Sequence, residues 1–382
     1  MSFASLAPTL RVDVEDNELS SDITKLVTRC EVELTRDIAD QISLTIVNPV
    51  ETKMGEGNTG RLLFTDSKMF QPGNEVSIFM GYGDPVFIGR GIIDRFLPSF
   101  PREGVPTLTI KAHDASTRMM DGEAALEPAI YVDMTYDQIV TDVIKKHGIL
   151  PGIIDPVDVI DKRIAKKRGM SDYIFVKGLA NLVSYEFRVY WDNDAHAWKA
   201  NWRAPRSDQQ RAYEFSYLNG PDSTLIEFEP SFGLRDAPNG VQVLYWDKDT
   251  RGWEEMKVEE DKTGDSPLFT GTSSDMEEEI KSSSKLRIAA AGRYVEVVAD
   301  RPFASADEAY QFAERWMRAR KDSFLMGNGK TIGLENLRPG DIHRLSGLGT
   351  QLSGDWEFST VSHSFTSDRG YECGFFALKV IE

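Results

Sequence analysis

The segment GNGKT, Gly327 to Thr331, is the part of this chain whose spacing comes nearest to a known chemistry. A phosphate-binding loop needs a glycine, four intervening residues and then Gly-Lys-Thr, so that backbone N–H groups cradle phosphates and the lysine reaches them. The first glycine belongs five residues before Gly329, where the chain has Phe324. The segment also follows a helical pattern and leads to Pro339, whereas such a loop joins a strand to a helix, so a helix-to-strand loop is the expected form. Asp192, Asp194 and His196 have the spacing of a calcium loop. Ala197 stands where the turn glycine belongs, however, and Arg203 where the bidentate glutamate belongs. A hairpin turn accounts for those Asp residues.

The histidines His113, His147, His196, His343 and His363 never stand three or four residues from one another or from a cysteine, so zinc spacing is lacking. His147 closes a helical pattern. His113 and His363 fall at strand ends, where an imidazole hydrogen-bonded to backbone is the plain expectation. No G-x-S-x-G elbow occurs, and neither Cys30 nor Cys373 sits in a nucleophile signature. Two of the 61 carboxylates could face each other across a glycosidase-like cleft, but nothing in the spacing selects a pair. Trp191, Trp198 and Trp202 alternate along strand patterns and Trp316 lies on an apolar helix stripe, so core packing is their expected role. The residues select no catalytic, cofactor-binding or metal site, and the expectation is a protein that is not an enzyme and carries no cofactor.

The elements around these candidates begin with period-2 alternation: Leu10, Val12 and Val14; Val32 and Leu34; Ile42, Leu44 and Ile46. That pattern predicts strands with one buried face. At Asp114 the pattern turns helical. Thr135 and Gln138 form a capping box before Ile139, Val140, Val143 and Ile144, and Gly148 fits the position after the helix. A second helix is predicted from Ser171, with Phe175, Leu179, Leu182 and Val183 on one stripe, leading into a hairpin that turns between Asp192 and Ala197. Strands are predicted at Leu225–Phe228, Val241–Tyr245 and Val295–Ala299. Ser305 and Glu308 form another capping box, before Ala309, Phe312, Ala313 and Trp316.

A β-module occurs twice. Gln71–Phe96 and Arg338–Phe365 each hold a Pro-Gly turn (Pro72-Gly73; Pro339-Gly340), a short strand and a glycine-bearing turn (Gly81, Gly83; Gly347, Gly349). Each then has a further glycine (Gly89; Gly354) and an alternating strand, with a last strand at Leu108–Ala112 or Cys373–Leu378. Three copies of a chain with two similar modules can close a six-module ring.

Composition bounds the rest. A hydrophobic share of 41% is that of a folded protein. No run of 18 apolar residues exists, so membrane insertion by this chain is not expected, and the N-terminus lacks the pattern of a secretory leader. Two cysteines point to assembly in a reducing cytoplasm. A net charge of −17 argues against nucleic-acid binding as the main task, since that rests on Lys and Arg.

The order of motifs resembles the phage late control D family, the hub proteins of contractile tails, R-type bacteriocins and related injection systems, akin to the N-terminal part of type VI secretion spike proteins. The pieces are Gly81-Tyr82 with Phe87-Ile88-Gly89, Ala112-His113-Asp114, the Thr135 helix, SDYIFVKGLANLVSYEFRV (Ser171 to Val189), the Ala309 helix, GLENLRPGD (Gly333 to Asp341), Gly347-Leu348-Gly349, Gly354 and Val361-Ser362-His363. No OB-like domain, β-helical needle or lysozyme-like segment follows in this sequence, so the spike and any wall-cutting activity are expected on other chains.

The expected fold is therefore mainly β with α/β insertions: a first β-barrel over 1–115, an α/β insert over 116–224, and a second β-barrel from 225–250 and 295–382 with a helix over 305–321. Residues 251–294, with the acidic run Glu277 to Glu279, are expected as a polar insertion or loop. The resemblance implies a homotrimer with pseudo-six-fold symmetry in the baseplate of a virion or particle. Its implied partners are the tail tube or a tube-initiator protein, a trimeric spike and baseplate wedge proteins, with DNA or a tape-measure protein passing through the pore. The alternatives are a particle-associated peptidoglycan hydrolase and a carbohydrate-binding receptor protein.

Overall fold

Alternating apolar residues at the N-terminus become strands of a large antiparallel sheet: β1 (Pro8–Val14), β2 (Asn17–Glu18), β3 (Val27–Thr35) and β4 (Gln41–Val47). After the short pair β5 (Val50–Glu51) and β6 (Arg61–Leu62) come β7 (Glu75–Tyr82), β8 (Val86–Ser99) and β9 (Thr107–His113). The computed structural model describes residues 7–36, 38–51, 61–157, 160–183, 185–204, 213–220, 223–232, 240–247, 251–259, 295–303, 306, 309–310, 312–313 and 325–380. Two units divide the chain. The first comprises Met1–Gln209, Lys330–Gly340 and Ser359–Phe375; the second comprises Gln210–Gly329, Asp341–Phe358 and Phe376–Glu382.

In the first unit the ladder runs β3-β4-β9-β8-β7-β1-β2, every neighbour antiparallel. Val12, Val32, Leu34, Leu44, Ile46, Ile78 and Met80 are buried on its inner face, each contributing about 1.5–3 kcal/mol by leaving water. β8 is irregular twice, with register shifts opposite Ile78/Phe79 and after Ile93. Its glycines explain how the sheet curls. A Cβ on Gly89 would lie 3.0 Å from Val32, and one on Gly91 would lie 3.0 Å from Ala112. Only a strand without side chains at these points comes this close to β3 and β9.

The α/β insert lies in the same unit. Its strands are β10 (Ala129–Thr135), β11 (Leu150–Ile154), β12 (Ile160–Lys166), β13 (Glu186–Asp192) and β14 (Ala197–Arg203). Its two longer helices are Tyr136–Lys146 and Asp172–Leu182. Both follow the predicted boundaries. Gln138 accepts the Thr135 N–H at 3.1 Å, Ser171 Oγ accepts the Ile174 N–H at 3.2 Å, and Gly148 takes φ +71° after the first helix. Ile139, Val143 and Ile144 share one core with Phe175, Val189, Trp198 and Trp202.

The second unit holds β15 (Glu214–Ser216), β16 (Leu225–Phe232) and a three-stranded sheet with β17 (Gly240–Asp247) central between β18 (Gly252–Glu259) and β19 (Val295–Phe303). β18 corrects part of the expectation of a loop over 251–294, for it is paired along its length with β17. Residues 260–294, with the acidic run, lie outside the described residues. Ala309 and Ala313 are helical and pack on Val241, Val243 and Tyr245. Ser305, Glu308 and Trp316 are outside the described residues.

GNGKT is the second correction. It lies within β20 (Leu325–Ile332), a strand with alternating burial, and is not a loop. The chain ends with β21 (Ile342–Ser346), β22 (Gly354–Thr366) and β23 (Gly370–Lys379). Their order β21-β22-β23 repeats that of β7-β8-β9. The matching turns share backbone conformation as well: φ is +96° at Gly73 and +92° at Gly340, +87° at Gly83 and +80° at Gly349. The repeat does not foretell one feature, that Thr360–Thr366 of β22 pairs antiparallel with Arg29–Thr35 of β3 and extends the first unit's ladder.

Candidate functional site

The hairpin turn at Asn193–His196 uses its acidic residues on itself. Asp192 accepts the Ala195 N–H at 2.9 Å and pairs with Lys199 at 2.7 Å, and the Lys199 hydrogen bond holds its carboxyl below the ordinary value. Among the described residues no group of three His, Cys, Asp or Glu side chains is placed to hold a metal ion, and no helix is long and apolar enough to cross a membrane.

One thiol–imidazole contact does form, between residues that sequence spacing did not connect. Cys373 Sγ lies 3.4 Å from His363 Nδ1, which accepts from the Tyr371 hydroxyl at 2.7 Å, while His363 Nε2 donates to the Leu337 carbonyl at 3.1 Å. Burial pushes His363 down to about 3 and the Cys373 thiol up to about 12. Near neutral pH both are uncharged, so the thiolate and the proton-accepting base of a nucleophilic pair are missing. The cluster acts as a lock. It fastens the GLENLRPGD segment, from which Glu335 accepts the Tyr82 N–H at 3.2 Å and Arg338 donates to the Phe87 carbonyl at 3.3 Å. Gly333 is needed for the close approach, since a Cβ there would meet the Tyr371 ring at 2.4 Å. Motif pieces far apart in sequence, Gly81-Tyr82, Phe87, Gly333–Arg338 and His363, thus meet in one contact.

Two further buried polar groups lie in the first unit. Asp172, the acidic residue after the Ser171 cap, pairs with Lys166 and with His147 at 2.8 Å, and Lys166 also donates to the Ala125 carbonyl at 2.6 Å. His147 is therefore a buried partner of Asp172 as well as the end of its helix. Asp114 accepts the Ser116 and Asp40 N–H groups, both at 2.7 Å. Burial and the charge of Asp40 raise it to about 7. A carboxyl pair with one raised member resembles an acid/base couple. Asp114 is closed off from solvent, however, and both its oxygens are engaged by backbone, so its role is to cap the turn at Ala115–Met119. Asp40 accepts the Thr35 N–H at 2.8 Å and an Arg188 N–H at 3.1 Å.

Arg188 leads to a concavity of the first unit, a cleft of about 400 Å³ between the faces of β3 and β8 and the outer face of β13 and β14. Val32, Leu34 and Ile42 give it an apolar floor. Five arginines, Arg36, Arg90, Arg188, Arg203 and Arg338, line it against only two carboxylates, Asp40 and Glu186. Arg36 sits 2.8 Å from Glu186, and Arg90 pairs with Glu75 at 2.6 Å while lying 4.1 Å over the Trp191 ring. The Arg203 side chain makes no hydrogen bond or ion pair among the described residues. No sequence signal marks this site, because its residues come from five separate segments.

Residues 8–367 match the family model described as the Alg8 N-terminal domain. The chain belongs to this family. Its description differs from the late control D family that the motifs resemble. No curated protein sequence matches the chain. Among solved structures, the 43 kDa tail protein of prophage MuSo2 from Shewanella oneidensis is similar with a TM-score of 0.67, 11% identity and 98% of both chains covered. The tail protein from Neisseria meningitidis MC58 is similar with a TM-score of 0.69 and 9% identity, over 98% of this chain and 97% of that one. A Francisella PdpA–VgrG complex is similar with a TM-score of 0.56 and 8% identity, over 97% of this chain and 58% of that one. At such identities the likeness is one of fold.

Proposed function

We propose that the chain is a structural component of a phage tail or related injection particle, and within it the baseplate hub. In this reading it is a homotrimer whose six β-modules meet the six-fold tail tube or tube initiator on one side. Its three-fold parts hold the spike on the other, with baseplate wedge proteins around it. The observation that carries the reading is the internal repeat, two meanders of the same strand order with matching positive-φ glycines, in a fold shared end to end with two tail proteins. A repeated module in a three-fold assembly supplies six similar edges to a six-fold partner, and closing the ring covers strand edges that would otherwise pair at random. The proposed place is the particle baseplate, after assembly in the bacterial cytoplasm. No catalytic role is proposed, and the neutral state of the buried Cys373–His363 pair supports that choice.

Electron microscopy of the purified, concentrated protein tests this. Rings with three-fold symmetry and six similar modules are the expected result, and a strictly monomeric or two-fold particle would overturn it. One observation favours the carbohydrate-receptor reading: Trp246 and Trp253 face each other across β17 and β18 at 5.5 Å, with Trp253 60% exposed. Such a cross-strand aromatic pair also stabilises its ladder. Glycan-array binding lost in Trp253→Ala would establish the receptor role, and an array without signal would remove it.

A further inference from the structure

We propose that the arginine-lined cleft of the first unit is a docking site for an acidic, partly apolar peptide segment of a partner protein. In a chain of net charge −17 the cleft is lined by five arginines and two carboxylates; Arg90 is matched by Asp16 and Glu75 beside the lining, which leaves Arg36, Arg188, Arg203 and Arg338 against Asp40 and Glu186. Local charge of that sign is complementary to an anion. Two of the arginines have unused capacity. Arg203 stands across the ladder from Glu186, but Glu186 is engaged by Arg36, which leaves Arg203 without a partner among the described residues. Arg188 gives one N–H to Asp40, and its Nε is buried with no hydrogen-bond partner among the described residues. A buried, unsatisfied guanidinium nitrogen is costly unless a ligand completes it.

The chemistry of the ligand follows from the walls. A guanidinium fork matches a carboxylate through two parallel N–H···O bonds. The floor of Val32, Leu34 and Ile42 is apolar and suits aliphatic side chains. A volume of about 400 Å³ is that of a small-ligand pocket and not of a track. Nucleic acid is disfavoured, because phosphate binding needs cations spread along a strand and the chain as a whole carries a net charge of −17. A peptide alternating acidic and aliphatic residues satisfies both wall and floor. The proposal rests on the tail-component reading for the expectation that the partner is a protein.

The test uses the full chain and a short fluorescent peptide alternating glutamate and leucine, with a lysine/leucine peptide and inorganic phosphate as controls. Saturable binding of the acidic peptide alone, weakened by salt, is the expected result. Arg203→Glu should weaken it roughly tenfold or more. It should shift the melting curve only slightly, through the like charge it sets opposite Glu186, because the Arg203 side chain makes no hydrogen bond or ion pair among the described residues. Equal affinity in Arg203→Glu, or displacement by phosphate at the peptide's own potency, would overturn the proposal. Rings are scored separately: a ring-forming protein that ignores the peptide refutes the docking site alone, and a peptide binder that never forms rings refutes the hub alone.

Discussion

Replacing Asp172 by alanine should be among the most damaging single changes in the insert, although no surface would register it. Asp172 and Lys166 are almost wholly enclosed, with side chains 2% and 1% exposed. Removing the carboxylate leaves the Lys166 ammonium with the Ala125 carbonyl, and His147 loses its partner. Breaking a buried ion pair by deleting one member costs about 3–5 kcal/mol, because the orphaned charge stays out of water. Against a typical domain stability of about 5–15 kcal/mol, that is a large fraction. Urea unfolding followed by tryptophan fluorescence reads the effect, since Trp198 and Trp202 share the insert core with both helices. The double change Lys166→Met with Asp172→Leu should recover most of the loss, because an apolar pair of similar volume avoids the desolvation penalty. A cost below about 1 kcal/mol for Asp172→Ala, or a double variant no more stable than the single, would refute the reasoning.

Four other expectations follow from the geometry. Gly347 and Gly349 both have positive φ, but a Cβ at 347 would lie 2.1 Å from the Tyr217 carbonyl oxygen while one at 349 meets nothing within 4 Å. Gly349→Ala should therefore cost about 1–2 kcal/mol of backbone strain and Gly347→Ala clearly more, as thermal melts would show. His343 is packed among Tyr213, Phe215 and Phe358 with both ring nitrogens unpartnered among the described residues, and burial lowers it from 6.5 to about 4. Above pH 6.5 it is neutral whether the chain is folded or unfolded and adds no pH dependence, and stability is lost as pH falls toward 4, by up to about 3 kcal/mol. His343→Phe should remove that acid slope, and an unchanged slope would sink the assignment. Asp114 works in the opposite sense: raised from 3.8 to about 7, it gains stability as pH falls through that window, so Asp114→Asn should steepen the net acid loss. Finally, both cysteines are buried and the Cys373 thiol is pushed up to about 12. Neither should react with a thiol reagent at mild alkaline pH until urea unfolds the chain, and rapid labelling of the native protein would contradict this.

Much of the fold was legible where local chemistry decides. The insert helices, with Ser171 and Gln138 at their starts and Gly148 after the first, and the Asp192 hairpin needed only nearby residues. The misreadings have a common cause. GNGKT looks like a loop because Gly and Asn disfavour strands. In the structure Gly327 is there for close approach, since a Cβ would meet the Phe228 ring at 2.7 Å. Likewise Gly252–Glu259 looks polar and turn-like, yet a partner strand, β17, supplies the ladder that holds it extended.

By itself the sequence determined the β-rich class, the insert, the repeat and the surplus of negative charge, because periodicity, caps and turn glycines act over a few residues. Only the tertiary structure decided what those residues face. It paired β22 with β3, set His363 beside Cys373 in a site too dry for either to ionise, and joined Asp172 to Lys166 and His147. It also gathered arginines from five segments of an acidic chain around one cleft. Such neighbours are fixed by long-range strand pairing and by the cost of burying charge, and neither leaves a periodic trace along the chain.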